Sequence, residues 1–252
     1  MPAASRRSAS SALARSATSA ASTVAAAMLH FMVSPFPPNA TQASFQWCID
    51  VVSEKTSAVY EPAFHAEGKA LFVAGHGAGS HMNHRSTLKL SEVLRARGFD
   101  VVRFNFLYRE KGGGPPDRMP KLQACMKSVI EKARAHAGPG KKLIIGGRSM
   151  GGRVASMLAA EGFACDGLLL LAYPLHPAGK PERLRDEHLP RIKVPVLCIN
   201  GTKDTLCERP LMEHALESVK TRWEMQWLEG KDHSFPVTAE IGELAARWLD
   251  EL

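Results

Sequence analysis

An α/β fold, with a mostly parallel central sheet and helices on both faces, is predicted by three features of this sequence. From Lys69 onward, short apolar runs alternate with helix-length amphipathic segments. The runs are continuous rather than alternating with polar residues, as strands covered on both sides must be. Glycine and proline gather between them at 112–116, 138–140 and 174–181, in clusters that break elements without linking domains.

The elements follow in order. A strand is expected near 45–52, then the core strands at 70–74, 101–106, 143–145, 168–172 and 194–199, and a further strand at 223–228. Helices are expected over 87–97, 120–136, 150–161 and 209–220, with a last one over 239–251. Gly98 stands just past the first of these, where a helix favours a residue free to turn left-handed. The stretch between the strands at Leu168 and Val194 is too short for a helical lid, so no lid domain is expected and the site should be open.

At 252 residues the chain suits one such domain, assigned to 47–252. Residues 1–46 are rich in Ser and Ala, carry Arg6, Arg7 and Arg15, and precede the first acid, Asp50. That composition fits a mitochondrial or plastid transit peptide better than a secretory signal. A disordered tail, or an over-extended start with initiation at Met28 or Met32, are the alternatives. The expected compartment is the cytoplasm, or the mitochondrion if the segment is a transit peptide.

Composition removes several functions. Hydrophobic residues at 45% and charged residues at 23% are ordinary globular usage, which argues against disorder of the whole chain. No run reaches the roughly 18 apolar residues of a membrane span. The net charge of +7 lacks the basic stripe with interleaved aromatics that nucleic-acid binding needs. Five scattered cysteines with no C-x-x-C pair suggest a reducing compartment and neither zinc nor a redox motif. No cofactor is expected, and the sequence does not indicate an oligomeric state.

The chemistry sits in the strand-to-helix junction Leu143-Ile144-Ile145-Gly146-Gly147-Arg148-Ser149-Met150-Gly151-Gly152. It holds G-x-S-x-G in the context that motif requires. The glycines let strand and helix approach while the turn lifts the Ser149 hydroxyl above the sheet, at a helix N-terminus that favours developing negative charge. A glycine-rich turn in which Ser149 only caps the helix is the alternative.

A serine hydroxyl needs a base to take its proton, and the base needs a third group to fix its tautomer. After the strand 194–199 comes Asn200-Gly201-Thr202-Lys203-Asp204, at the sheet edge where catalytic groups gather, and Asp204 is nominated as the acid. The preceding strand runs into Tyr173-Pro174-Leu175-His176-Pro177, which offers no carboxylate. After the strand 223–228 comes Glu229-Gly230-Lys231-Asp232-His233, and His233 is nominated as the base. A turn-forming role for Asp204 and a filler role for His233 are the competing readings.

The strand at 70–74 ends in Gly75-His76-Gly77-Ala78-Gly79, a loop whose amides can face a carbonyl oxygen as it gains charge. Gly77, Ala78 and Met150 are nominated as the oxyanion site, with the Ala78 and Met150 amides as the two donors. His81 and His84 have a spacing that could suggest a metal pair, but no cysteine or carboxylate completes it, so no metal is expected.

The stretches Gly75–Gly79 (GHGAG), Gly146–Arg153 (GGRSMGGR), His176–Leu189 (HPAGKPERLRDEHL), Gly201–Asp204 (GTKD) and Gly230–His233 (GKDH) carry a resemblance. The chain from about Lys69 to Leu252 resembles the α/β-hydrolase family of small dienelactone-hydrolase-like proteins, related testis-expressed proteins, and the hydrolase-like domain of an NSL-complex subunit. The resemblance implies the α/β-hydrolase fold and puts Ser149, Asp204 and His233 on the triad positions. Dienelactone hydrolases proper use a cysteine nucleophile where this chain has serine, so their substrate is not carried over. Some members of the family are not established enzymes.

The expected function is therefore a serine esterase or thioesterase acting on a small-molecule ester, with a non-catalytic interaction module as the alternative. A peptidase on this fold would usually carry a propeller or cap, for which the chain has no room. Arg109, Lys111, Arg118, Lys121, Arg148, Lys180, Arg183 and Arg185 fall near the predicted sheet edge. They suggest an anionic or carboxylated substrate, against the reading of solvated surface charge.

Overall fold

The computed structural model describes residues 44–65 and 67–252. Along the chain come β1 (Phe45–Val51), β2 (Glu54–Glu61), β3 (Ala70–Gly75), α1 (Arg85–Ala96), β4 (Phe99–Phe104), α2 (Leu107–Glu110) and α3 (Met119–Ala137). They are followed by β5 (Lys142–Arg148), α4 (Met150–Ala160), β6 (Gly167–Leu171), β7 (Val196–Gly201), α5 (Arg209–Leu216), β8 (Trp223–Leu228) and α6 (Ala239–Asp250).

The strands form one sheet in the order β1-β2-β4-β3-β5-β6-β7-β8. From β4 to β8 every pairing is parallel, while β1 and β2 add an antiparallel edge. Because successive side chains point to opposite faces, each continuous apolar run feeds two cores. Leu71, Val73, Leu143, Ile145, Leu168 and Leu170 face α3, α4 and α5. Phe72, Ile144, Leu169 and Leu171, one residue out of step, face α1 and α6. Phe72 is fully buried, and truncating such a side chain to alanine costs about 3–5 kcal/mol.

The sequence does not foretell β2 or the short α2. The first half of β2, Glu54-Lys55-Thr56-Ser57, is polar, and the hairpin turns on Val52-Ser53 with no glycine or asparagine. Val52 takes φ 58° itself, a conformation a β-branched side chain resists. The strand expected at 101–106 is β4, two residues earlier. Past it, the Asn105 amide donates to the Ser57 carbonyl at 3.0 Å. The helix expected over 209–220 stops at Leu216. Gly98 has φ 86°, as its place after α1 predicts. Residues 1–46, with the targeting and tail readings attached to them, lie outside the described residues apart from the last three. Between β6 and β7 there is a single 3₁₀ turn, Leu189–Arg191, and no lid.

Candidate active site

The loops that follow β3, β5, β7 and β8 meet at the carboxyl edge of the parallel sheet, where open α/β sheets hold their ligands. Ser149, between β5 and α4, has φ 50° and ψ −116°, a strained backbone for a side chain other than glycine. Its amide donates to the Leu171 carbonyl at 2.8 Å. The glycines two residues either side are required by contact. A Cβ on Gly147 would lie 2.0 Å from the Gly75 oxygen, and one on Gly151 would lie 2.2 Å from the same atom. The turn that carries Ser149 is thus pressed against the end of β3, so it shares one piece of packing with the loop that follows β3.

Ser149, His233 and Asp204 are brought together in a line. Ser149 Oγ is 2.8 Å from His233 Nε2, and His233 Nδ1 is 2.8 Å from Asp204 Oδ2 and 3.0 Å from Oδ1. Only the tautomer protonated on Nδ1 satisfies both contacts, which leaves Nε2 free to accept from the serine hydroxyl. The Asp204 side chain is wholly buried. It also accepts from the Leu206 amide at 2.9 Å and from Asn200 Nδ2 at 3.3 Å, so its oxygens are aimed by the turn after β7.

The loop bearing His233 is held from two sides. A Cβ on Gly201 would lie 2.0 Å from the Lys231 oxygen, so the end of β7 touches the loop directly. Arg148 Nη2 donates to the His233 carbonyl at 2.5 Å, and its guanidinium lies over the Phe235 ring at 4.7 Å. Arg148, one of the cations expected near the sheet edge, thus contacts this loop and also lines the cleft beside His233.

The loop Gly75–Gly79, nominated for the oxyanion site, is held by hydrogen bonds behind it. Buried His76 donates from Nδ1 to the Gly77 carbonyl at 2.8 Å and accepts from the Phe106 amide on Nε2 at 3.1 Å. That arrangement needs a neutral ring, and burial pushes the His76 pKa down to about 4. The Ser80 amide also donates to the Gly77 carbonyl. In a trans peptide the carbonyl and the following N–H point oppositely, so the Ala78 amide faces away from these groups. The Ala78 carbonyl is in turn held by the Tyr108 hydroxyl at 2.6 Å. Met150 opens α4, and its amide has no carbonyl one turn back within the helix. Gly77 runs alongside the turn that carries Ser149: a Cβ there would make ordinary contact with the Ser149 Cβ at 3.6 Å.

Two clefts flank Ser149 and share it with Ala78 and Leu206. One runs past His84, Arg148 and His233; the other runs past Met119, Met150, Arg153 and Arg185. Of the other expected cations, Lys111 and Lys121 pair with Glu54, while Arg118, Lys180 and Arg183 are exposed. Arg153, which sequence reasoning passed over as part of the motif, reaches the site instead. His81 and His84 accept backbone amides through Nδ1, from Asn83 at 3.2 Å and Ser86 at 3.3 Å. Among the described residues no cluster of three His, Cys, Asp or Glu side chains could hold a metal ion.

Residues 68–252 match the family model of an alpha/beta hydrolase domain. Among solved structures, the chain is similar to an alpha-beta serine hydrolase homologue from Coxiella burnetii, with a TM-score of 0.70 and 20% identity over 81% of this chain and 97% of the other. It is similar to a dienelactone hydrolase from Anabaena variabilis, with a TM-score of 0.67 and 19% identity over 84% and 99% of the two chains. A serine hydrolase without a lid from Xanthomonas campestris gives a TM-score of 0.64 and 20% identity over 86% and 94%.

Proposed function

We propose, from the premise that the chain belongs to the alpha/beta hydrolase domain family, that it is a serine hydrolase cleaving a small ester or thioester through Ser149, His233 and Asp204. The observation that carries this reading is the unbroken line from the serine hydroxyl through both imidazole nitrogens to a buried carboxylate.

His233 Nε2 takes the hydroxyl proton as Ser149 Oγ attacks the carbonyl carbon, and the carbonyl electron pair moves to oxygen. The Ala78 and Met150 amides receive that oxyanion; losing one such donor costs about a hundred- to a thousand-fold in rate. Asp204 keeps the imidazolium oriented. The proton then passes to the departing alcohol or thiol as its bond to carbon breaks, leaving an acyl group on Ser149. Water repeats the sequence from the vacated side, giving up its proton to His233 and releasing the acid.

Hydrolysis of short acyl esters and thioesters tests the proposal. The wild-type protein should turn over some of them, and Ser149→Ala should lower kcat by about 10⁶-fold. A folded wild-type protein inert towards the whole panel would leave the interaction-module reading in its place.

A further inference from the structure

Arg153 begins the second turn of α4, its amide 3.0 Å from the Ser149 carbonyl, and lines the same cleft as the nucleophile. Its Nε is buried and meets no acceptor. Arg185, from the connection between β6 and β7, lines that cleft as well. Neither guanidinium makes an ion pair or a side-chain hydrogen bond among the described residues. The one acid of the cleft, Asp117, is engaged by Lys121 at 3.5 Å and by the Tyr108 amide at 3.0 Å.

The groups behind Arg153 are neutral. Burial lowers the His188 pKa to about 4 and raises that of Tyr173. Arg185 is itself pushed down, first by burial and then by the charge of Arg153. Two like charges held together without a counterion cost free energy that a bound anion would recover. Lys180 and Arg183 extend the positive field outward from Arg185 along an adjoining groove.

We infer that Arg153 and Arg185 form a subsite for a phosphate group that the substrate carries a few bonds from its scissile carbonyl. The inference rests on the hydrolase reading above. A phosphate dianion matches two guanidinium charges, and its oxygens suit their forked donors; a carboxylate balances only one.

The test compares hydrolysis of the acetate esters of glycerol phosphate, glyceric acid and glycerol by the full chain. The phosphate ester should exceed the glycerol ester in kcat/KM by about tenfold or more, through KM, and should also exceed the glycerate ester. Arg153→Met and Arg185→Met should each bring that ratio towards one, with Arg153→Lys keeping part of it. A ratio taken within one variant is insensitive to a general loss of folded protein. A wild-type ratio near one, a preference for the glycerate ester, or a ratio that survives both methionine variants would overturn the subsite.

If none of the three esters reacts, protection of Ser149 from a fluorophosphonate by glycerol phosphate, with glycerol as control, reads the same subsite. Saturable protection weakened in Arg185→Met supports it, and absence of protection overturns it. A protein that neither labels nor hydrolyses loses the hydrolase reading itself, whereas one that labels without any preference loses only this subsite.

Discussion

Arg148 Nη2 donates to the backbone carbonyl of His233 at 2.5 Å, so the residue beside Ser149 holds the loop that carries His233. Arg148→Met should therefore lower kcat about ten- to a hundred-fold, the equivalent of a hydrogen bond to a charged group, with the fold kept. Arg148→Lys should not restore it, because a point charge cannot both lie flat on Phe235 and reach the carbonyl. Steady-state kinetics with a short ester, alongside an unfolding curve, separates this from instability.

Asp204→Asn should leave the structure intact and lower kcat about 10⁴-fold. The new amide can donate to His233 Nδ1, which moves the ring proton to Nε2 and blocks acceptance from Ser149. A loss below tenfold would mean that the buried carboxylate does not set the tautomer.

Ser149→Gly should abolish turnover yet raise stability by about 1 kcal/mol, since glycine relieves the φ of 50° while adding unfolded-state entropy. Ser149→Ala keeps the strained Cβ and should not show the gain. Urea unfolding of the two variants measures the difference.

Stability should fall in acid because of two buried histidines. His76 and His188 take up a proton at about 4 when folded, against an ordinary value of 6.5, with burial the main cause in both. Between those values the unfolded chain binds more protons, so stability is full above pH 6.5, declines as pH falls towards 4, and levels off below. Each group contributes roughly 3 kcal/mol of that decline. His188→Gln should flatten the slope by its share in unfolding curves taken across this window.

Much of the fold was legible in the sequence. Continuous apolar runs marked the parallel strands because both faces of each are covered, and the order Ser149, Asp204, His233 followed from the loops after successive strands. What escaped depends on contacts between distant segments. Residue type could not show that Gly201 is needed where β7 meets the Lys231 carbonyl. Nor could it divide the cations into Lys111 and Lys121, which pair with Glu54, and Arg185, which lines the cleft. Residue type within GGRSMGGR could not show that Arg153 lines the cleft beside Ser149. The β1–β2 hairpin escaped because Val52 adopts a turn conformation that its side chain disfavours.

The central claim is that Ser149 is activated by His233, and labelling with a fluorophosphonate probe tests it most directly. Wild type should label at one site, mapped by mass spectrometry to Ser149, and Ser149→Ala and His233→Ala should remain unlabelled while folded. Equal labelling of wild type and His233→Ala, or none in a folded wild-type protein, would contradict it.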